Sequence, residues 1–225
     1  QVGGEMEKQL SDLVTIPSMT AGVPLIHPGG NLLYAYSGYS SIFEDANQNG
    51  TALTTGPASA QTIYEKGFAG NTEQILDIDI SEQGAKTFSG VGGIDWAMKA
   101  GNSRSTINFE VWVHKDVSVL TEEYYQNPEN IDPEIASRGT ADWTETGWIK
   151  LAESGTIAGN AANPKYEFEN LDLTYMDGDE EKSYEAIRLV MDVANGSNSH
   201  DQGVWGNPKI TMEPDEFPGS GFEEP

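Results

Sequence analysis

A polar stretch near the C-terminus carries the side chains of this sequence that are best suited to bind a ligand. Asn198, His200, Asp201 and Gln202 come shortly before Trp205. Such side chains supply hydrogen-bond donors and acceptors beside an indole ring. Sugar hydroxyls need those hydrogen bonds, and the C–H face of a pyranose packs on an aromatic ring. The stretch predicts either a sugar-binding loop or a solvated turn with one buried tryptophan, since loops favour the same polar residues.

Regular alternation on both sides of this stretch predicts the elements that must position it. Before it, apolar residues alternate with Arg188 and Asp192, and after it Ile210 and Met212 resume the pattern. A period of two is that of a strand. A loop between two strands is a place where a binding site can be built on a rigid frame.

The same alternation recurs from residue 63 onward and predicts an all-β fold. Turn signals such as Glu82-Gln83-Gly84 and Asp177-Gly178-Asp179 separate the apolar segments, and no convincing long helix interrupts them. We therefore predict an antiparallel β-sandwich with long loop insertions at 24–49 and 119–143. Thr121 could cap a short helix in the second insertion. The predicted strands cover residues 76–80, 88–94, 107–113, 148–151, 166–173, 187–193 and 209–212.

Three segments are predicted along the chain. Residues 1–13 form a leading segment with helix-compatible spacing, and residues 14–213 form the sandwich. Residues 214–225 have the composition of an acidic linker rich in proline and glycine. We therefore expect a module cut from a longer protein.

The composition limits the kinds of partner that this protein is expected to bind. With 36 acidic and 12 basic side chains the net charge is -24, which repels nucleic acid and anionic membrane surfaces. No apolar run approaches the roughly 18 residues that span a bilayer, so membrane insertion is not expected. Cysteine is absent, which excludes disulfides and thiolate metal sites. The acidity fits a secreted or cell-surface protein in a calcium-containing exterior, and since Gln1 begins no signal peptide we expect a mature or excised fragment.

One segment resembles the beginning of a calcium-binding loop. Asp45, Asn47 and Asn49 stand at the first, third and fifth positions, and Gly50 follows at the sixth. The twelfth position is Gly56 rather than a bidentate carboxylate. We favour a turn over a calcium site here.

Catalytic motifs are absent from the sequence, and we expect no enzyme activity. There is no zinc-protease His-Glu-x-x-His, no nucleophile elbow and no phosphate-binding glycine loop. The acid pairs Asp77/Asp79 and Glu167/Glu169 each share a strand face, as paired glycosidase carboxylates could. Solvated strand faces explain both pairs better.

The tryptophans divide into two groups. For Trp112 and Trp148 we favour burial, with Trp112 lying beneath the 119–143 insertion. Trp96 and Trp205 stand at loop edges beside Asp95 and Asp201, and there burial and sugar stacking are equally plausible.

Four sequence blocks resemble, in order, those of carbohydrate-binding modules of the NPCBM type, which are appended to secreted carbohydrate-active enzymes. The blocks are Leu10 to Leu13, Tyr64 to Asn71, Gly93-Ile94-Asp95 with Ser105 to Val111, and Asn198 to Pro208.

The resemblance implies a jelly-roll, galactose-binding-like β-sandwich without catalytic activity. It implies a site for galactose-type sugars in loops at one end, often with a structural calcium, and it places Asp201 and Trp205 near that end. Asn71 and Gln202 stand where the family has histidines. Both replacements keep a hydrogen-bonding side chain but lose a titratable ring, which could alter selectivity or abolish binding.

The leading hypothesis is a non-catalytic carbohydrate-binding module that joins a secreted or surface multimodular protein to glycans. The first alternative is a calcium-stabilised structural or adhesion module, and a carboxylate glycosidase ranks last. The predicted ligand-binding residues are Trp205, Asp201, Gln202, His200, Asn71, Asp95, Trp96 and Arg104.

Overall fold

Alternating apolar residues build two antiparallel sheets that pack face to face in a computed structural model, which describes residues 6–131 and 142–213. The predicted β-sandwich is thereby confirmed. The strands are β1 Met6–Gln9, β2 Leu25–Gly29, β3 Leu32–Ser37, β4 Phe43–Glu44, β5 Leu53–Thr55, β6 Thr62–Tyr64, β7 Gly67–Asn71, β8 Gln74–Asp79, β9 Ala85–Ile94, β10 Thr106–His114, β11 Trp148–Ala158, β12 Lys165–Asp172, β13 Thr174–Asp177, β14 Glu180–Ser183, β15 Ala186–Val193 and β16 Gln202–Met212. The helices are α1 Trp96–Lys99, α2 Glu122–Gln126 and α3 Pro128–Ile131.

The two large sheets enclose one apolar core. The first has the order β12-β9-β16-β7-β4, with β1 beside the C-terminal half of β16. The second has the order β11-β10-β15-β8-β3-β2. Phe88 and Trp205 of the first sheet and Phe109 and Leu189 of the second are fully buried in the shared cluster. Interdigitation of such side chains is what holds the sheets of a sandwich together.

A second cluster covers the outer face of the second sheet. The ring of Trp112 lies 5.0 Å from that of Trp143 in the insertion, and Trp112 and Trp148 are 8% and 1% exposed. The predicted burial of both, and the position of Trp112 beneath the insertion, are confirmed. Thr121 caps α2 as predicted, because its Oγ1 accepts a hydrogen bond of 3.1 Å from the backbone N–H of Tyr124.

Beneath this cluster lies a fully buried ion pair that corrects one prediction. Arg188 donates from Nε and Nη2 to the two carboxylate oxygens of Asp77, at 2.7 and 2.8 Å. Asp77 is therefore not on a solvated strand face, and Arg188 occupies the carboxylate that a glycosidase would need. Glu167 and Glu169, in contrast, are exposed as predicted.

Three element assignments differ from the sequence interpretation. β3 is an inner, fully buried strand rather than part of the long loop insertion predicted at 24–49. Residues Met6–Gln9 form a strand of the first sheet, and Leu10 is in the core, so the predicted leading segment is part of the sandwich. β16 begins at Gln202, which shortens the predicted loop. The predicted linker, 214–225, lies outside the described residues.

Candidate functional site

The candidate site lies at the end of the sandwich where β3, β7, β9 and β15 end and β8, β10 and β16 begin. Gln202, the first residue of β16, is the register partner of Asn71, the last residue of β7. The Gln202 side chain donates from Nε2 to Asn71 Oδ1 at 3.3 Å. The two residues that stand where the carbohydrate-binding modules resembled by the sequence have histidines are thus in direct contact.

A groove of about 330 Å³ opens beside this pair. That volume is near the lower end of the roughly 300–1,000 Å³ typical of small-molecule sites. Four separate segments contribute its walls: the β3–β4 loop, the end of β7, the end of α1 and the loop that leads into β16. The lining residues are Tyr39, Asn71, Lys99, Asn198, Ser199, His200 and Gln202.

Asp201 supports the groove from behind. Its carboxylate accepts hydrogen bonds from the backbone N–H of Thr106 at 2.9 Å and from Thr72 Oγ1 at 3.1 Å. The Ser105 hydroxyl adds a bond of 2.6 Å to the carbonyl of His200. Burial raises the pKa of Asp201 to about 6, although both bonds to the carboxylate oppose the shift. Asp201 therefore positions the loop rather than facing the groove.

Asp95 has a similar supporting position on the other side of Gln202. Its backbone N–H donates to the Gln202 carbonyl at 2.9 Å, and its side chain is 1% exposed. Burial raises the pKa of this carboxyl to about 6, with the Asn47 side chain the main opposing influence. Asp95 directly precedes α1, whose last residue, Lys99, reaches the groove wall.

The structure corrects the predicted role of Trp205. Its side chain is fully buried, with its ring 5.2 Å from Phe109 and 5.7 Å from Phe168. Because β16 begins at Gln202, alternation directs Trp205 toward the core and Gln202 toward the outer face. Trp205 is therefore a core residue and offers no stacking surface.

Trp96 and Arg104 do not line the groove. The half-buried indole of Trp96 covers Gly56 so closely that a Cβ atom at this glycine would lie 2.5 Å from Trp96 Cδ2. Arg104 is exposed, and its backbone N–H donates to Asn102 Oδ1 at 2.8 Å. Of the predicted ligand-binding residues, the groove brings together Asn71, His200 and Gln202, with Asp95 and Asp201 behind it.

Tyr39 is the aromatic residue of the groove that the sequence analysis missed. It is 60% exposed and lies in the loop between β3 and β4. The available signal was its setting between Gly38 and the pair Ser40-Ser41, because an aromatic ring in a polar, glycine-containing loop has few apolar neighbours to bury it.

The candidate calcium loop does not fit a metal site. Asp45 Oδ1 accepts hydrogen bonds from Ser11 Oγ and from the backbone N–H of Gly67, and Asp45 Oδ2 lies 3.6 Å from Lys66 Nζ. Asn47 Oδ1 accepts from the backbone N–H groups of Asn49 and Thr51. Asn47 thus closes a turn, as favoured from the sequence, and the Asp45 carboxylate is engaged with residues outside the segment. The described residues contain no cluster of three or more His, Asp or Glu placed to hold a metal ion.

Comparisons with known proteins identify structural neighbours. No family model matches the sequence, and no curated protein matches it. A CBM51 module from Clostridium perfringens GH95, solved in complex with methyl-galactose, aligns with a TM-score of 0.56 and 17% identity over 91% of this chain and 99% of the module. The chain has the fold of a CBM51 module.

Two further structures support that assignment of the fold. The CBM51-2 and INT domains of Clostridium perfringens ZmpB align with a TM-score of 0.54 and 17% identity, over 92% of this chain and 32% of that chain. Tandem CBM51 modules of a family 98 glycoside hydrolase from Streptococcus pneumoniae align with a TM-score of 0.50 and 12% identity, over 95% of this chain and 49% of that chain. The predicted resemblance to carbohydrate-binding modules is confirmed at the level of the fold.

Proposed function

We propose that this protein is a non-catalytic carbohydrate-binding module whose groove holds a galactose-type hexose. The observation that carries the proposal is the exposed ring of Tyr39 in the wall of a groove that Asn71 and Gln202 also line. An aromatic face beside carboxamide groups is the combination that a pyranose requires, since the ring packs and the hydroxyls form hydrogen bonds. The structural neighbour solved with methyl-galactose supports the choice of sugar.

The hydrogen bonding of the amide pair leaves groups for a ligand. Gln202 Nε2 is used toward Asn71, whereas Gln202 Oε1 is buried and has no hydrogen-bond partner among the described residues. An unsatisfied buried acceptor costs free energy, and rotation of the Gln202 side chain toward a sugar in the groove would let a hydroxyl donate to it. Asn198 and Lys99 supply further donors in the wall.

A single sugar would bind weakly in this groove. The site is open and polar, so contacts with the ligand replace contacts with water and their net contribution is small. A multimodular parent protein would compensate through avidity, because linked sites raise the effective concentration of the ligand. The chain spans only 32% of the ZmpB structure and 49% of the tandem modules, which supports a module of a larger secreted or surface protein.

Calorimetric titration with methyl β-galactoside and N-acetylglucosamine tests the proposal. Tyr39→Ala should abolish measurable binding while the protein stays folded, because it removes only an exposed ring. The matched control is Tyr166→Ala, which removes a tyrosine 42% exposed on β12, outside the groove lining. Equal binding by wild type and Tyr39→Ala would place the site elsewhere, and no binding by wild type in a wide glycan screen would refute the function.

A further inference from the structure

We propose that the groove selects hexoses that carry an anionic substituent, either a carboxylate or a sulfate ester. This inference rests on the proposed function, because it concerns the ligand of the same groove. It depends on the local charge of the groove, which is opposite in sign to that of the protein as a whole.

The charges lining the groove contrast with the composition of the chain. Acidic side chains outnumber basic ones by 36 to 12, so a random patch of this surface would present carboxylates. The groove is lined instead by Lys99 and His200 and by neutral polar residues, and none of the described residues that line it is Asp or Glu. The groove is therefore a neutral to cationic site on a protein with a net charge of -24.

The carboxylates next to the groove are buried: Glu73, two residues after Asn71, is 9% exposed, and Asp201 and Asp95 are more buried still. Asp201 is fully buried and directs its oxygens to the Thr106 backbone and the Thr72 hydroxyl. Asp95 is 1% exposed and lies behind Gln202. Neither offers a surface charge that would repel an anion in the groove.

Lys99 has no ion-pair partner in the part of the chain that the structure describes. It interacts electrostatically with the buried Asp95, but no carboxylate oxygen of residues 6–131 and 142–213 forms a salt bridge with it. Other lysines are already neutralised: Lys66 lies 2.8 Å from Asp12, and Lys182 lies 2.8 Å from Asp177. The ammonium of Lys99 is therefore available to an anionic group of the ligand, with charge-assisted donors among the stronger hydrogen-bonding groups.

The net charge of the protein does not cancel this preference at physiological ionic strength. Exposed charges farther away than a Debye length of about 8 Å are largely screened there. Contacts inside the groove thus decide whether the protein attracts or repels an anionic sugar there. For a pair that stays partly exposed, we expect the anionic sugar to bind about fivefold more tightly than its neutral counterpart.

The test compares galactose with galactose 3-sulfate, galactose 6-sulfate and galacturonate by calorimetry at constant ionic strength. The wild type should bind at least one of the three anionic sugars about fivefold more tightly than galactose. Lys99→Met should remove that preference, so that galactose and the three anionic sugars bind with similar affinity. Lys8→Met, which removes an exposed lysine on β1 outside the groove lining, should leave the preference unchanged. Comparison of the sulfates with galacturonate identifies the anionic group.

Two results would overturn the inference while leaving the proposed function intact. One is a wild type that binds galactose as tightly as all three anionic sugars, or more tightly. The other is an anion preference that Lys99→Met retains. A wild type that binds no sugar at all would refute the proposed function together with the inference, so the two failures are distinguishable.

Discussion

At the scale of single residues, Asp95 and Asp201 give the stability of the protein a defined pH dependence. Burial raises the pKa of both carboxyls to about 6 from the ordinary value of 3.8. Between pH 3.8 and about pH 6 these carboxyls hold protons in the folded state that they have lost in the unfolded state. The free energy of unfolding contributed by each group therefore falls as the pH rises from 3.8 to about 6, and the penalty is complete above pH 6.

Asp201→Asn should remove its share of that penalty. An asparagine amide keeps an acceptor for the Thr106 N–H and a donor for the Thr72 hydroxyl. Relative to wild type, the variant should gain roughly 1–3 kcal/mol of unfolding free energy between about pH 4 and pH 7. Urea unfolding at several pH values measures the difference. A difference between the two proteins that does not change with pH would contradict the argument.

Trp205→Ala should act on stability rather than directly on sugar binding. Removing this ring from contact with Phe88, Phe109 and Phe168 leaves a large cavity in the core. We expect the free energy of unfolding to fall by about 3–5 kcal/mol, measured by urea unfolding. Trp205→Phe, which fills more of the space, should cost less. A stable, folded Trp205→Ala protein that specifically lost sugar binding would show that the ring is a ligand contact.

The sequence predicted the site residues unevenly, for a structural reason. Asn71, His200 and Gln202 lie in the blocks that resemble carbohydrate-binding modules, and the structure brings all three to one groove, although β7 and the first half of β16 were not predicted as strands. The direction of Trp205 depended on where β16 begins, and a shift of the strand start by one residue reverses every side chain. Tyr39 could not be ranked above other loop residues, because its exposure depends on neighbours that only the fold brings together.

At the scale of elements, the insertion after β10 is fixed to the second sheet by the ion pair of Arg188 and Asp77. The guanidinium lies over the rings of Trp143 and Trp148, with its Cζ atom 4.4 and 3.9 Å from their centroids. Tyr125 of α2 donates to Asp77 Oδ2 at 2.7 Å. One buried charge pair thus connects β8, β15 and the insertion.

Arg188→Met should destabilise the protein more than the loss of an ordinary contact would. Asp77 would remain buried without its counter-charge, which typically costs about 3–5 kcal/mol. The double variant Asp77→Asn with Arg188→Met should recover part of the loss, because no unpaired charge remains. Urea unfolding of both singles and the double measures the coupling. Additive losses would show that the two residues act independently.

Whether a strand could be predicted from the sequence depended on which of its residues are buried. β8, β10 and β15 were recognised from apolar alternation, even though polar members such as Asp77 and Arg188 proved to be buried beneath the insertion. β3 was missed because all six of its residues are buried and it therefore shows no alternation. β1 was missed because its four residues are exposed or half-buried, which leaves no apolar alternation to detect.

At the scale of the whole molecule, the net charge of -24 predicts stabilisation by salt. Self-repulsion of the compact state weakens as the Debye length falls from about 30 Å at 0.01 M to about 8 Å at 0.15 M. The Tm should therefore rise over this range, in sodium and potassium chloride alike. A Tm that did not change would show that local pairs such as Lys66 with Asp12 already balance the repulsion.

Calcium remains a prediction at this scale, and the same melting experiment addresses it. Calcium chloride should be compared with magnesium chloride at equal ionic strength, so that screening is held constant. A rise in Tm specific to calcium, reversed by a chelator, would indicate a bound ion. Because the Asp45 and Asn47 oxygens are engaged in hydrogen bonds, we expect Asp45→Asn to leave any such effect in place.

The most direct test of the central claim is a titration of the ¹⁵N-labelled protein with methyl β-galactoside and with galactose 6-sulfate, followed by NMR. We expect shifts confined to residues 38–41, 71, 99 and 198–202, including the side-chain amides of Asn71 and Gln202. Such a map would place the sugar in the groove beside Tyr39. Shifts centred on Trp96 and Arg104, or no shifts with any glycan tried, would contradict the account.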